Sequence, residues 1–220
     1  MIYIQKENEP ESLTKYKKKK FASFDGFKDK NDIREKLLKE QGCLCAYCMR
    51  RIDKNHMKIE HWYPEDRLTD VERLDYQNML GVCLGHIEGT KGSDDTCDTQ
   101  KGNTIISVNP LNVKTLITLQ YNQSTGELCS RDSAIQNDIN VTLNLNSERH
   151  LLKENRRQLL ITMQLEMRKM QQTGNWNKKV LETLRAKYAK PDAEGKKKEY
   201  AGVAIWYLDK RLKKAKKVHK

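Results

Sequence analysis

The stretch "CAYCMRRIDKNHMKIEHWYPED", from Cys45 to Asp66, constrains this chain more than any other. Cys45 and Cys48 have two residues between them, a spacing that puts two thiolates on one tight turn and makes half of a tetrahedral zinc site. One such knuckle is weak evidence by itself, so a second half has to come from downstream. Cys83 and Cys97 supply it, and His86 competes for the fourth place because "CLGH" has Cys-x2-His spacing. The expected set is Cys45, Cys48, Cys83 and Cys97. Cys43 stands too close to Cys45 to join its turn, and Cys43 and Cys129 read as small apolar side chains.

A structural metal suits the composition. Of 220 residues, 37% are hydrophobic and 33% charged, which predicts one domain with a modest core, or one compact domain with an extension. Zinc would hold together a segment too small to bury enough apolar area unaided. No stretch approaches the roughly 20 apolar residues of a membrane span. The opening "MIYIQKENEPESL" has neither an apolar export segment nor a small-residue cleavage site. The expectation is a cytoplasmic protein with no membrane partner, whose cysteines serve as metal ligands or buried thiols rather than disulfides. The formal charge of +12 points to nucleic acid as a partner. The run "KYKKKK" at Lys15–Lys20 and the tail "KRLKKAKKVHK" can attract a phosphate backbone without reading its sequence. The run taken alone suits a solvated loop equally well.

The rest of the chain divides by pattern. Residues 1–42 form an N-terminal arm and a helix, with Asn31 as N-cap, Ile33, Leu37 and Leu38 on one face, and Gly42 as the stop. Residues 43–110 hold five of the six cysteines, three of the five histidines and five of the eleven glycines, and read as short strands and loops around one short helix. Residues 111–220 open with a hairpin, Leu116–Tyr121 and Glu127–Ser130 around a Ser124-Thr125-Gly126 turn. Three helices follow. The first has Ser147 as N-cap and Gly174 as its stop, the second covers Lys178–Tyr188, and the third lies in "EYAGVAIWYLDKRLKKAKKVHK", apolar first and basic last. The fold class is α+β, with a mainly helical C-terminal half.

Between the two zinc halves lie Glu60 and His61, and the ordered set is CxxC, EH, N, C, CDxxKG. This set resembles the HNH nuclease superfamily with its ββα-metal core, whose common form is CxxC, DH, N, then CxxCNxxKG. Further segments, "LLKEQGCLCAYC", "IEHWYPED", "DINVTLNLNSE", "LLKENRRQLL" and "YAGVAIWYLDKRL", look like the HNH (PtuB-like) subunit of Septu-type and retron-linked anti-phage defence systems.

The resemblance implies an HNH endonuclease that hydrolyses phosphodiester bonds of DNA, tRNA or other RNA. It implies that His61 is the general base, that Glu60 and Asp98 ligate a catalytic Mg²⁺ or Mn²⁺, and that zinc on the four cysteines is structural. Asn78 would brace the loop that orients the histidine, and Lys101 and Gly102 would end the motif, with Lys101 contacting phosphate or stabilising the helix. It further implies a PtuA-like ATPase subunit as partner, docked on the helical half, and a retron reverse transcriptase with its DNA as a possible third component. Two local features depart from the common form. "LGHIEGTKGSDD" inserts a loop between Cys83 and Cys97. Neighbouring strand residues also point to opposite faces, so Glu60 and His61 share a site only where the strand ends, as Trp62, Tyr63 and Pro64 predict. His56, His150 and His219 read as structural or solvated. The competing function is a non-catalytic zinc module that binds nucleic acid or protein.

Overall fold

The computed structural model describes residues 1–89, 92–171 and 176–218, with residues 93 and 216–218 described by their backbone alone. The protein is mixed α+β, with two small antiparallel sheets set among helices. The N-terminal arm leads into a short helix, α1 (Glu11–Lys17), and a longer one, α2 (Asn31–Gln41). Gly42 ends α2 in the left-handed conformation (φ 64°), which glycine adopts without a steric penalty. The start of α2 differs slightly from expectation, because Lys30 rather than Asn31 occupies the cap position and no side chain caps it.

The cysteine turn follows at once. Cys45 N–H donates to the Arg50 carbonyl and Ile52 N–H to the Cys43 carbonyl, closing a tight loop through Met49 at φ 65°. Strand β1 (Lys58–His61) then pairs with β2 (Met79–Val82), with Glu60 opposite Leu80 and His61 opposite Met79. The far side of β2 is covered by the knuckle and by α2. Ala46 N–H donates to the Gly81 carbonyl, while the buried Gln41 amide donates to the Gly81 and Leu44 carbonyls and accepts from Gly81 N–H, each at 2.7 Å. That clamp covers the β2 edge of the sheet at Gly81. A five-residue helix, α3 (Cys97–Lys101), completes the segment.

The hairpin is shorter than its sequence pattern. Strands β3 (Leu119–Tyr121) and β4 (Leu128–Ser130) pair antiparallel, but Leu116 lies in a preceding turn of helix, α4 (Val113–Leu116), capped by Asn112. Gly126 (φ 72°) sits against the next long helix, where a Cβ would stand 2.0 Å from the Lys153 carbonyl oxygen. Helix α5 (Ser133–Asn137), capped by Asp132, runs into a π-helical turn over Asp138–Thr142.

The long helix α6 (Leu152–Met170) starts four residues later than the expected Glu148. Ser147 does accept an N–H, from His150, but the chain makes a turn there and passes through Leu151 in the left-handed region before the helix begins. Buried Arg156 on α6 donates to the Gly126 and Leu145 carbonyls and to Asn146 Oδ1, tying the hairpin to the helix. Helices α7 (Lys178–Ala189) and α8 (Ala201–Val218) pack on it and on each other. Ala201, Val203, Ala204, Tyr207 and Leu208 of α8 are buried, and Trp206 packs edge-on against Tyr121. Gly174, His219 and the end of the basic tail lie outside the described residues. Among the described residues no helix is long and apolar enough to cross a membrane.

Candidate metal centre and adjoining cleft

The four expected cysteines converge. Cys45 and Cys48 come from the knuckle, Cys83 from the residue after β2, and Cys97 from the first residue of α3. Their sulfurs are buried, with Cys45–Cys97 at 3.8 Å, Cys48–Cys83 at 3.7 Å and Cys83–Cys97 at 3.6 Å. Four Zn–S bonds of about 2.3 Å in a tetrahedron put the sulfurs about 3.8 Å apart. The donor type, number and spacing therefore fit a zinc ion. His86 is not in the cluster; its Nδ1 pairs with Asp95 Oδ1 at 2.6 Å on the surface. Arg50 lies over the cluster, with Nη2 3.8 Å from Cys83 Sγ and 3.0 Å from His150 Nδ1. Its charge opposes the excess negative charge of four thiolates. Hydrogen bonds from its neighbours hold the Cys48 thiol well below the usual range, while burial pushes Cys45 well above it.

The same knuckle supports a second group of side chains. Strand β1 does end at His61, as the proline-bearing segment predicts, and both Glu60 and His61 are buried. Asn78 holds the turn that follows. Its Oδ1 accepts Tyr63 N–H at 2.8 Å, its amide donates to the Tyr63 carbonyl at 2.9 Å, and its own carbonyl accepts Trp62 N–H. Asn78 thus contacts the backbone beyond His61 and not the imidazole itself.

Glu60, His61 and Asp98 all line one cleft of about 270 Å³, together with Lys58, Glu65, Thr99 and Lys101. His61 Nε2 is 2.8 Å from the Arg73 carbonyl oxygen, so it carries the proton, and Nδ1 is left as the acceptor, 3.4 Å from Glu65 Oε2. Burial lowers the His61 pKa, favouring the neutral ring. The Phe24 ring stands edge-on to the imidazole at 4.8 Å between centroids.

The two carboxyl groups lie within hydrogen-bond reach of each other. Burial, then the nearby Asp98, pushes Glu60 up to about 8. Burial would raise Asp98 too, but hydrogen bonds from Glu60 and Lys58 hold it below its ordinary value. Each carboxyl also has a lysine, Lys101 Nζ 2.8 Å from Glu60 Oε1 and Lys58 Nζ 2.8 Å from Asp98 Oδ2. Lys101 is only 1% exposed and donates also to the His61 carbonyl. It braces the interior of the cleft and is not presented to a phosphate.

Sequence reasoning passed over Tyr47. This buried residue lies between the knuckle cysteines, and its hydroxyl donates to Glu60 Oε1 at 2.9 Å. An aromatic with a polar tip inside a zinc turn was the available signal, since a buried phenol needs a partner. No protein-family model and no curated protein matches the chain.

Proposed function

We propose that this chain is a metal-dependent HNH endonuclease with a ββα-metal core built from β1, β2 and α3. The observation that carries the reading is that His61, Glu60 and Asp98 line one cleft, with Asp98 following directly on Cys97 of the four-cysteine cluster. The carboxyl pair fits a hard divalent cation. Two oxygen donors stand side by side, and the burial and Asp98 charge that push the Glu60 pKa up are a cost that a cation between the two carboxyls would relieve. A Mg²⁺ or Mn²⁺ held by Glu60 and Asp98 would offset negative charge on the leaving oxygen.

The chain's own groups do the rest. The Arg73 carbonyl fixes the His61 tautomer, leaving Nδ1 free to take a proton from water as that water attacks the phosphorus. Asn78 holds the turn after His61, which limits movement of the ring. Lys58, part-exposed at the rim, can meet a phosphate oxygen once Asp98 has another cation. Zinc takes no part in the chemistry. The defence role, with a PtuA-like ATPase and a retron reverse transcriptase as partners, rests on the resemblance of the later segments. Several of these now fall in α6 and α8. Most apolar residues of α8 are buried in the core, so an ATPase would meet its half-exposed Ile205 and Trp206 and its basic end.

One observation favours the non-catalytic zinc module instead: both carboxyls are already matched by lysines. Incubating the zinc-loaded chain, alone and with a PtuA-like ATPase, with DNA and tRNA in Mg²⁺ or Mn²⁺ separates the two. The nuclease reading expects cleavage that falls on the order of 10²- to 10⁴-fold in His61→Ala, with zinc content and nucleic-acid binding retained. Binding with no cleavage under any of these conditions favours the module.

A further inference from the structure

All three phenylalanines of the chain lie within seven residues, in "FASFDGF", between the lysine run and α2. Each has a different environment. Phe27 is buried and packs on Tyr16 at 4.8 Å between ring centroids. Phe24 lies against His61. Phe21 is 87% exposed, the most exposed large hydrophobic residue described, and its backbone is left-handed (φ 58°). That conformation is uncommon for a bulky side chain.

The loop is not slack. Phe27 N–H donates to the Ser23 carbonyl, Gly26 N–H to Ser23 Oγ, and Ala22 N–H to the Lys19 carbonyl. Two aromatics anchor it, one in the core and one at the reactive histidine, and the third is held out in water. The loop Lys18–Lys30 carries five lysines against the two exposed aspartates Asp25 and Asp29. Lys18, Lys19, Lys20 and Lys28 are exposed, Lys20 Nζ lies 5.0 Å from the Phe21 ring centroid, and Lys30 Nζ lies 4.4 Å from that of Phe24. Phe24 is three positions on from Phe21, so their Cα atoms are at most roughly 11 Å apart. An exposed aromatic ring framed by lysines is the arrangement that holds unpaired nucleotides, with the ring stacking on a base and the ammonium groups tracking phosphates.

We propose that the loop Lys18–Lys30 is a substrate-binding element in which Phe21 stacks on an unpaired base close to the scissile phosphate, so that the preferred substrate is single-stranded or locally unpaired nucleic acid. This deepens the nuclease reading, from which it takes the scissile phosphate; the binding role of the loop needs only that nucleic acid is the ligand. A paired duplex offers no free base face to Phe21, and the lysines alone would bind it.

The test is binding of the zinc-loaded full chain, without added Mg²⁺ or Mn²⁺, to a short fluorescein-labelled single strand and to the matching blunt duplex, read by anisotropy. Phe21 is exposed, so its variants should fold. Phe21→Ala should weaken single-strand binding about 5- to 100-fold, the loss of one stacked base, and change duplex binding by less than about twofold. Phe21→Trp should restore single-strand binding, and its added emission should be quenched by the strand. Unchanged single-strand affinity in Phe21→Ala, or an equal loss for strand and duplex, overturns the loop assignment whatever the cleavage assays give. A wild-type chain that binds neither form overturns it along with the nuclease reading. Binding without cleavage in Mg²⁺ or Mn²⁺ overturns the nuclease reading alone.

Discussion

Removing one thiolate from the cysteine cluster should cost the protein most of its stability. The sulfur separations of 3.6 to 3.8 Å already match a zinc tetrahedron, so little reorganisation opposes binding. The ion would join the knuckle to Cys83, 35 residues beyond Cys48, and to Cys97, 14 residues further on. In small zinc domains this linkage is worth about 10–16 kcal/mol, against a total stability of about 5–15 kcal/mol for an ordinary folded chain. The other buried contacts of α6, α7 and α8 do not depend on the metal, so the whole figure need not be lost. Even about 5 kcal/mol would lower the melting temperature by about 10–20 °C at this chain length. Cys48→Ser and Cys97→Ser should each show that drop and lose zinc by elemental analysis, whereas His86→Ala should keep one zinc per chain. Thermal melts with and without a chelator give the same contrast for the wild type. Absence of zinc from unchelated protein, or an unchanged melt in Cys48→Ser, would refute the tetrahedral site. Loss of zinc in His86→Ala with retention in Cys97→Ser would reassign the fourth ligand.

Two further outcomes concern charge inside the fold. Arg156→Leu leaves the Gly126 and Leu145 carbonyls without their side-chain donor, while Asn146 Oδ1 keeps only the Leu128 N–H; relief of the buried charge offsets part of that, and about 2–3 kcal/mol of stability should go, seen as a melting temperature lower by several degrees, with a drop under about 2 °C counting against the role given to this arginine. For His150, burial and then the neighbouring Arg50 hold the pKa below its ordinary value of 6.5. The unfolded chain therefore binds the proton more readily, the contribution of this group is complete above pH 6.5, and it is lost as pH falls through that value towards the folded pKa. His150→Gln, which keeps an acceptor for Arg50, should flatten the acid side of the stability curve relative to wild type in urea titrations; parallel curves would refute it.

Much of the fold was legible because its signals are local. The Gly42 stop, the α7 span and the end of β1 before Pro64 each follow from a few adjacent residues. Where expectation and structure part, a tertiary contact is responsible. Ser147 accepts an N–H as a cap would, but the chain must first bring Leu145 and Asn146 to Arg156, so α6 begins only at Leu152. Leu116 has the β-rich neighbours of a strand, yet Asn112 caps a helical turn there. The cysteine set was readable from spacing, whereas the choice between Cys97 and His86 depended on the path of the inserted loop, which spacing does not describe.

The relation between the zinc cluster and the cleft was not legible, because it runs through a side chain that no ligand pattern selects. Tyr47 sits between two cysteine ligands and is immobilised by whatever holds Cys45 and Cys48. Its hydroxyl then reaches Glu60 across 13 residues of sequence. Burial, and then the Glu60 carboxyl beside it, raise its pKa well above the ordinary phenol value. The phenol therefore stays a donor at any working pH, and it gives Glu60 Oε1 a second fixed partner beside Lys101. A carboxyl held at Oε1 from two sides has its position in the cleft fixed near the end of a four-residue strand, where the two neighbours Glu60 and His61 both line the cleft. Order imposed on the knuckle by a metal would in this way reach a group in the cleft. Tyr47 thus links the cysteine cluster to the cleft that Glu60, Asp98 and His61 line.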